Sequence, residues 1–67
     1  MTVARITEIV SSSKKSFDDA TKAGVRRAHK TLKNVESAWV ADMNMRCKNG
    51  KITEYRVRLK ITFVLDG

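Results

Sequence analysis

Four cations near the end of the chain, Arg46, Arg56, Arg58 and Lys60, stand close to two more at Lys48 and Lys51. Side chains two apart on a strand share a face, so Arg56, Arg58 and Lys60 form a row suited to phosphate or carboxylate. The whole chain carries 14 Lys and Arg against 7 Asp and Glu, a formal charge of +7. That balance suits an acidic partner: nucleic acid, a small anionic ligand such as a phosphorylated molecule, or an anionic surface. Single-strand readers join such a row to aromatic stacking platforms. Here Tyr55 and Phe63 have the opposite parity and are assigned to the core, so nucleic acid is the less favoured partner. The other reactive residues stand alone. His29 falls on the polar side of a helical segment, Cys47 reads as a small apolar strand residue, and Met43 and Met45 read as core filler. No phosphate-binding loop, carboxylate pair or nucleophile–base pair is present, so an enzyme is not expected. With one Cys and one His, neither an intrachain disulfide nor a zinc site can be assembled.

The cationic row belongs to a long hairpin, Val35 to Leu65, that breaks at Asn49-Gly50. In its second limb Tyr55, Val57, Leu59, Ile61, Phe63 and Leu65 alternate with Glu54, Arg56, Arg58, Lys60 and Thr62. Period-2 alternation around a Gly-containing break is a strong hairpin signal. Residues directly opposite share a face, and a two-residue Asn-Gly turn would set each apolar row against a charged one. A three-residue loop, Lys48-Asn49-Gly50, with a bulge restores odd opposite odd. That register puts Trp39 opposite Leu59, Ala41 opposite Val57, Met43 opposite Tyr55 and Asp42 opposite Arg56. Trp39 then reads as a core or subunit-interface residue.

Thr2–Val10 is rich in β-branched residues and reads as a first strand. After Ser11-Ser12-Ser13 a helix is expected from Lys14 to Leu32, capped by Ser13 or, next, Ser12. Its inner stripe holds Phe17, Ala20, Thr21, Gly24, Val25, Ala28 and Leu32, with Lys14, Asp18, Lys22, Arg26 and Lys30 opposite. Gly24 costs about 1 kcal/mol of helix propensity unless close packing returns it, so the helix is expected to lie tightly on the hairpin's apolar face. Asn34 suits a left-handed residue before the strand. The fold class is α+β: strand-helix-strand-strand, one domain spanning 1–67, with a three-stranded antiparallel sheet on one helix. No apolar run of 18 residues and no signal-peptide core occur, so no membrane is expected and the cytoplasm is the default location. A chain of 67 residues buries only about 60% of its unfolded surface, and without disulfides or metal it needs partners.

The opening TEIVSSSKKSF, the helix end RRAHKTLKNV and the close GKITEYRVRLKITFVLDG together resemble the dodecins over essentially the whole chain. The resemblance implies a homododecamer, a hollow shell whose usual ligands are flavins (FMN or riboflavin). In it isoalloxazine rings stack in pairs between tryptophans of symmetry-related subunits, and the role is storage or sequestration. It also implies where the ligand residues fall. The stacking tryptophan lies six residues after the threonine of KTL, which here is Ser37; Trp39 is two further on, about 6.6 Å along the strand. The ring-binding glutamine corresponds to Arg56, and two phosphate-binding arginines correspond to Asn44 and Val64. The candidate ligand residues are therefore Ser37, Trp39, Asn44, Arg46 and Arg56, several of them substituted. The leading expectation is a flavin-binding shell. The alternatives are a structural shell without flavin, one holding calcium on Asp42, Asn44 and Glu54, and nucleic-acid binding through the basic sheet face.

Small size, lack of covalent staples and open sheet edges together predict an oligomer, and the resemblance implies that it is a dodecamer. Light scattering after gel filtration at neutral pH checks it, and a monomer or dimer at micromolar concentration contradicts it.

Overall fold

A computed structural model describes residues 2–65 of the chain. Its elements run β1 (Ala4–Ser13), α1 (Phe17–Thr31), β2 (Val35–Lys48) and β3 (Lys51–Val64). The order in the sheet is β1-β3-β2, antiparallel throughout. The α+β strand-helix-strand-strand architecture expected from the sequence is the one observed.

The most cleanly alternating segment, β3, takes the central position. Its odd row faces the helix: Val57, Leu59 and Ile61 are buried and form the core with Ala20 and Ala28. Ile9, Phe17, Val25, Leu32 and Val35 pack around them, and the Phe17 and Tyr55 rings meet edge to face at 5.1 Å. On β1 the residues across from this row, Thr7, Ile9, Ser11 and Ser13, lie on the same side. The helix packs mainly over β1 and β3 rather than over both limbs of the hairpin. Every residue of β2 after Val35 is exposed, so Met43 and Met45 are not core filler within one chain, and Cys47 is an exposed strand residue.

Both boundaries of the first connection differ from expectation. The three serines belong to β1, which runs to Ser13, and the helix begins at Phe17 with Ser16 as its N-cap, not Ser13 or Ser12. Ser16 Oγ accepts from the Asp19 N–H at 3.0 Å. Ser13 Oγ instead accepts from the Lys15 N–H at 2.9 Å and donates to Asp19 Oδ2 at 2.6 Å. All four serines are chemically competent caps, and pairing of Ser11, Ser12 and Ser13 with Val57, Arg56 and Tyr55 of β3 decides among them. At the helix's other end Asn34 adopts φ 59°, as expected for a left-handed residue.

The hairpin turn is the two-residue form, with Lys48 opposite Lys51 and left-handed Asn49 (φ 53°) and Gly50 (φ 76°). Positive φ at both central residues is the geometry that Asn-Gly favours and that fits strand twist. The parity conflict is resolved by three register shifts in the ladder, between Val35 and Ser37, Val40 and Asp42, and Arg46 and Cys47. The observed pairs are Trp39 with Lys60, Val40 with Leu59, Asp42 with Arg58, Met43 with Val57 and Met45 with Tyr55; Ala41 is passed over at a bulge. The expected pairings of Trp39 with Leu59, Ala41 with Val57, Met43 with Tyr55 and Asp42 with Arg56 do not form.

Gly24 marks where helix and sheet come closest. A Cβ built on it would lie 2.7 Å from Leu59 Cδ1 and 3.0 Å from Ser11 Cβ. Leu59 is fully buried, so its side chain would have to shift within the core to admit the methyl. Gly24→Ala gains about 1 kcal/mol of helix propensity but overpacks the core, at a typical cost of about 1–3 kcal/mol. The expected net result is a loss of about 1 kcal/mol, measured as a lower urea midpoint. A stabilised Gly24→Ala protein would show that the helix does not sit this close.

Candidate ligand-binding face

The sheet surface turned away from α1 is open, and cross-strand pairing defines it row by row. Lys60 lies between Glu8 of β1 and Trp39 of β2, and Arg58 between Val10 and Asp42. Arg56 lies between Ser12 and Asn44, Thr62 lies between Ile6 and Ser37, and Arg46 stands opposite Glu54. Residues directly opposite share a face, so all five candidate ligand residues, Ser37, Trp39, Asn44, Arg46 and Arg56, sit on one surface. The register shift at Ala41 achieves this. It lets odd-numbered Ser37 and Trp39 join even-numbered Asp42, Asn44 and Arg46 on the same side.

Trp39 is 65% exposed and is not a core residue of the chain. The Lys60 ammonium lies 5.2 Å from its ring centroid, a cation–π contact. The aromatic platform that Tyr55 and Phe63 do not provide is thus present beside the basic row. Strict alternation along β2 hid this, because a bulge leaves no mark in residue composition.

The cations of this face have acidic neighbours. Arg56 Nε donates to Glu54 Oε1 at 3.0 Å, and Arg58 Nε lies 3.9 Å from Glu8 Oε1. The Arg56 hydrogen bond holds the Glu54 carboxyl below its ordinary value near 4.5, opposed by partial desolvation and aided by the Arg56 charge, the Ser12 hydroxyl and the Arg46 charge. Among the described residues Lys60 makes no ion pair, and its ammonium is directed at the indole.

The alternative calcium residues Asp42, Asn44 and Glu54 share this face but do not converge. Arg56 and Arg58 stand across from Asn44 and Asp42, Glu54 is engaged by Arg56, and Asp42 Oδ1 accepts from the Met43 N–H at 2.9 Å. Among the described residues no three His, Cys, Asp or Glu side chains group to hold a metal. Ca²⁺ takes six to eight oxygens, and interleaved arginines oppose it. His29 is exposed on the helix, beyond the far side of the sheet, where it borders a shallow groove with Thr21, Lys22, Val25 and Arg26. Among the described residues no helix is long and apolar enough to cross a membrane.

The family model for Dodecin matches residues 3–66. The chain belongs to the dodecin family. Among solved structures, the dodecin from Streptomyces davaonensis is 32% identical, with 98% of this chain and 97% of that one covered and a TM-score of 0.92. An arginine-to-alanine mutant of Thermus thermophilus dodecin superposes over 100% of both chains at 27% identity, with a TM-score of 0.93. The calcium dodecin from Mycobacterium tuberculosis, described with a novel calcium-binding site, is 28% identical over 96% of this chain and 91% of that one, with a TM-score of 0.82. No curated protein matches the chain.

The Glu54 shift is testable by pH. A depressed carboxyl pKa means the Arg56–Glu54 contact favours the fold above the unfolded value and is lost as pH falls through the folded one. Arg56→Gln removes the main cause, so the Glu54 carboxyl followed by NMR is expected to titrate closer to 4.5. An unchanged titration would show that the contact does not hold in solution.

Proposed function

We propose that this dodecin is a homododecameric shell that binds or sequesters a planar small ligand on the open sheet face, with flavin the family's default. The exposed indole of Trp39 beside Lys60, among Ser37, Asn44, Arg46 and Arg56, carries the reading. Assembly is supported independently. Pairing with β1 ends at Tyr55, so the hairpin from Arg46 and Glu54 to the turn stands as two strands alone. Isolated two-stranded hairpins are marginal; this one exposes Ile52, and Met43 and Met45 just before it are exposed as well, an apolar surface that a second copy would cover.

The residues present fit a flavin in part. Trp39 would supply a ring contact, typically about 0.5–1.5 kcal/mol, from a position two residues beyond the family's. Arg56 in place of glutamine removes a ring hydrogen bond worth about 1 kcal/mol. Lys60 over the indole adds a positive charge next to any stacked ring. An anionic ligand such as FMN is therefore favoured over neutral riboflavin, and the preference weakens as salt rises.

Fluorescence-quenching titrations of riboflavin and FMN, each at two ionic strengths, test this. FMN is expected to bind more tightly and to lose affinity with salt. Riboflavin binding more tightly, without salt dependence, would mean that stacking on Trp39 dominates and charge does not select. No quenching by either at tens of micromolar would leave a shell that does not take flavin. In that case Ser37→Trp combined with Arg56→Gln is expected to install binding, and failure of the double variant would remove the flavin reading altogether.

A further inference from the structure

The positive charge is concentrated on one side of the sheet. Residues 14–33 hold seven cations, Lys14, Lys15, Lys22, Arg26, Arg27, Lys30 and Lys33, against Asp18 and Asp19, a net +5 of the chain's +7. The open sheet face, by contrast, interleaves its cations with Glu8, Asp42 and Glu54. On the helix Asp19 accepts the Ser13 hydroxyl, while Asp18 reaches Lys22 at 3.1 Å with both side chains well exposed. An exposed pair of this kind is worth little and is readily exchanged for another anion.

The cations are also ordered. Lys22, Arg26 and Lys30 recur every four residues on the exposed side of α1, opposite buried Ala20, Gly24 and Ala28, with exposed Arg27, His29 and Lys33 flanking them. At 1.5 Å per residue, successive cations on this line are about 6 Å apart along the axis. Phosphates of one duplex strand advance about 3.4 Å per nucleotide along the axis while winding around it, which puts neighbours about 6–7 Å apart through space, close to the step between the cations. Two competing partners fit less well. Membrane-surface helices bury an apolar face in lipid, but the apolar stripe of α1 is already covered by β1 and β3, and the exposed large hydrophobics among the described residues all lie outside it. Single-strand binding relies on aromatic platforms, and the outer face of α1 carries none.

We propose that the outer face of α1 is a docking surface for duplex nucleic acid, gripped through its phosphate backbone without reading sequence. The site is separate from the Trp39 face and does not depend on flavin binding. Repetition of the helix in an oligomer multiplies weak contacts into useful avidity.

Fluorescence anisotropy of a labelled mixed-sequence duplex against the assembled protein, at about 50 to 200 mM salt, tests the proposal. Three phosphate contacts give a log–log salt slope of about −2.7, which is an affinity loss of about forty-fold across that range. More contacts in the assembly make it steeper. The triple variant Lys22→Ala, Arg26→Ala, Lys30→Ala changes only exposed side chains and is expected to lose binding about tenfold or more, with a slope shallower by about 2.7. Arg56→Gln with Arg58→Gln on the sheet is expected to bind duplex as the parent does. If the triple variant fails to assemble, Arg26→Glu alone reads out the same change. The proposal is overturned by no duplex binding at about 50 mM salt, or by unchanged binding in the helix variants. Loss in the sheet variant instead, or preference for single strands or for anionic lipid vesicles over duplex, overturns it as well.

Discussion

One strand with two different faces governs this molecule. β3 lies between β1 and β2, so its odd row must satisfy the helix and its even row must remain in contact with whatever lies beyond the sheet. Leu59 is where the first demand is tightest. Its side chain occupies the space a Cβ on Gly24 would need, and this fixes how deeply the helix settles. Small residues on α1, Ala20, Gly24 and Ala28, let the core close with only three large, fully buried side chains. So thin a core leaves β2 exposed after Val35, the surface that the proposed assembly would cover.

The second face is set by β2, whose register changes three times along its pairing with β3. Bulges re-aim side chains and increase strand twist. The shift at Ala41 turns Trp39 from the helix side to the open side, into contact with Lys60. The same shift places Val40 opposite Leu59 on the helix side, so apolar continuity survives there with a smaller residue. Charge follows a parallel division: the open face mixes signs around an indole, while residues 14–33, the helix with its flanking turns, hold a net +5 of the chain's +7.

Much of this was legible in the residues. The alternation of Tyr55 through Phe63 identified the central strand and its buried row, Gly24 announced a close approach, and Asn34 its left-handed turn. What stayed hidden is physical rather than accidental. A bulge inserts one residue without changing composition, so strict alternation carried Trp39 to the wrong face and led to a three-residue turn where Asn49-Gly50 suffices. Four serines with equal capping chemistry stand before the helix, and only strand pairing excludes Ser11, Ser12 and Ser13. Family likeness located the expected ligand positions at Ser37 and Arg56, and Trp39 shares the parity of Ser37, but strict alternation set both on the face opposite Arg56.

The account rests on the face to which Trp39 belongs, and a crystal structure of the assembled protein grown with FMN examines that most directly. The indole is expected on the open face, opposite Lys60 and on the same side as Arg56 and Arg58, with electron density for the ring system against it. An indole packed on the helix side against Leu59, with Ala41 paired normally in the ladder, would contradict the account.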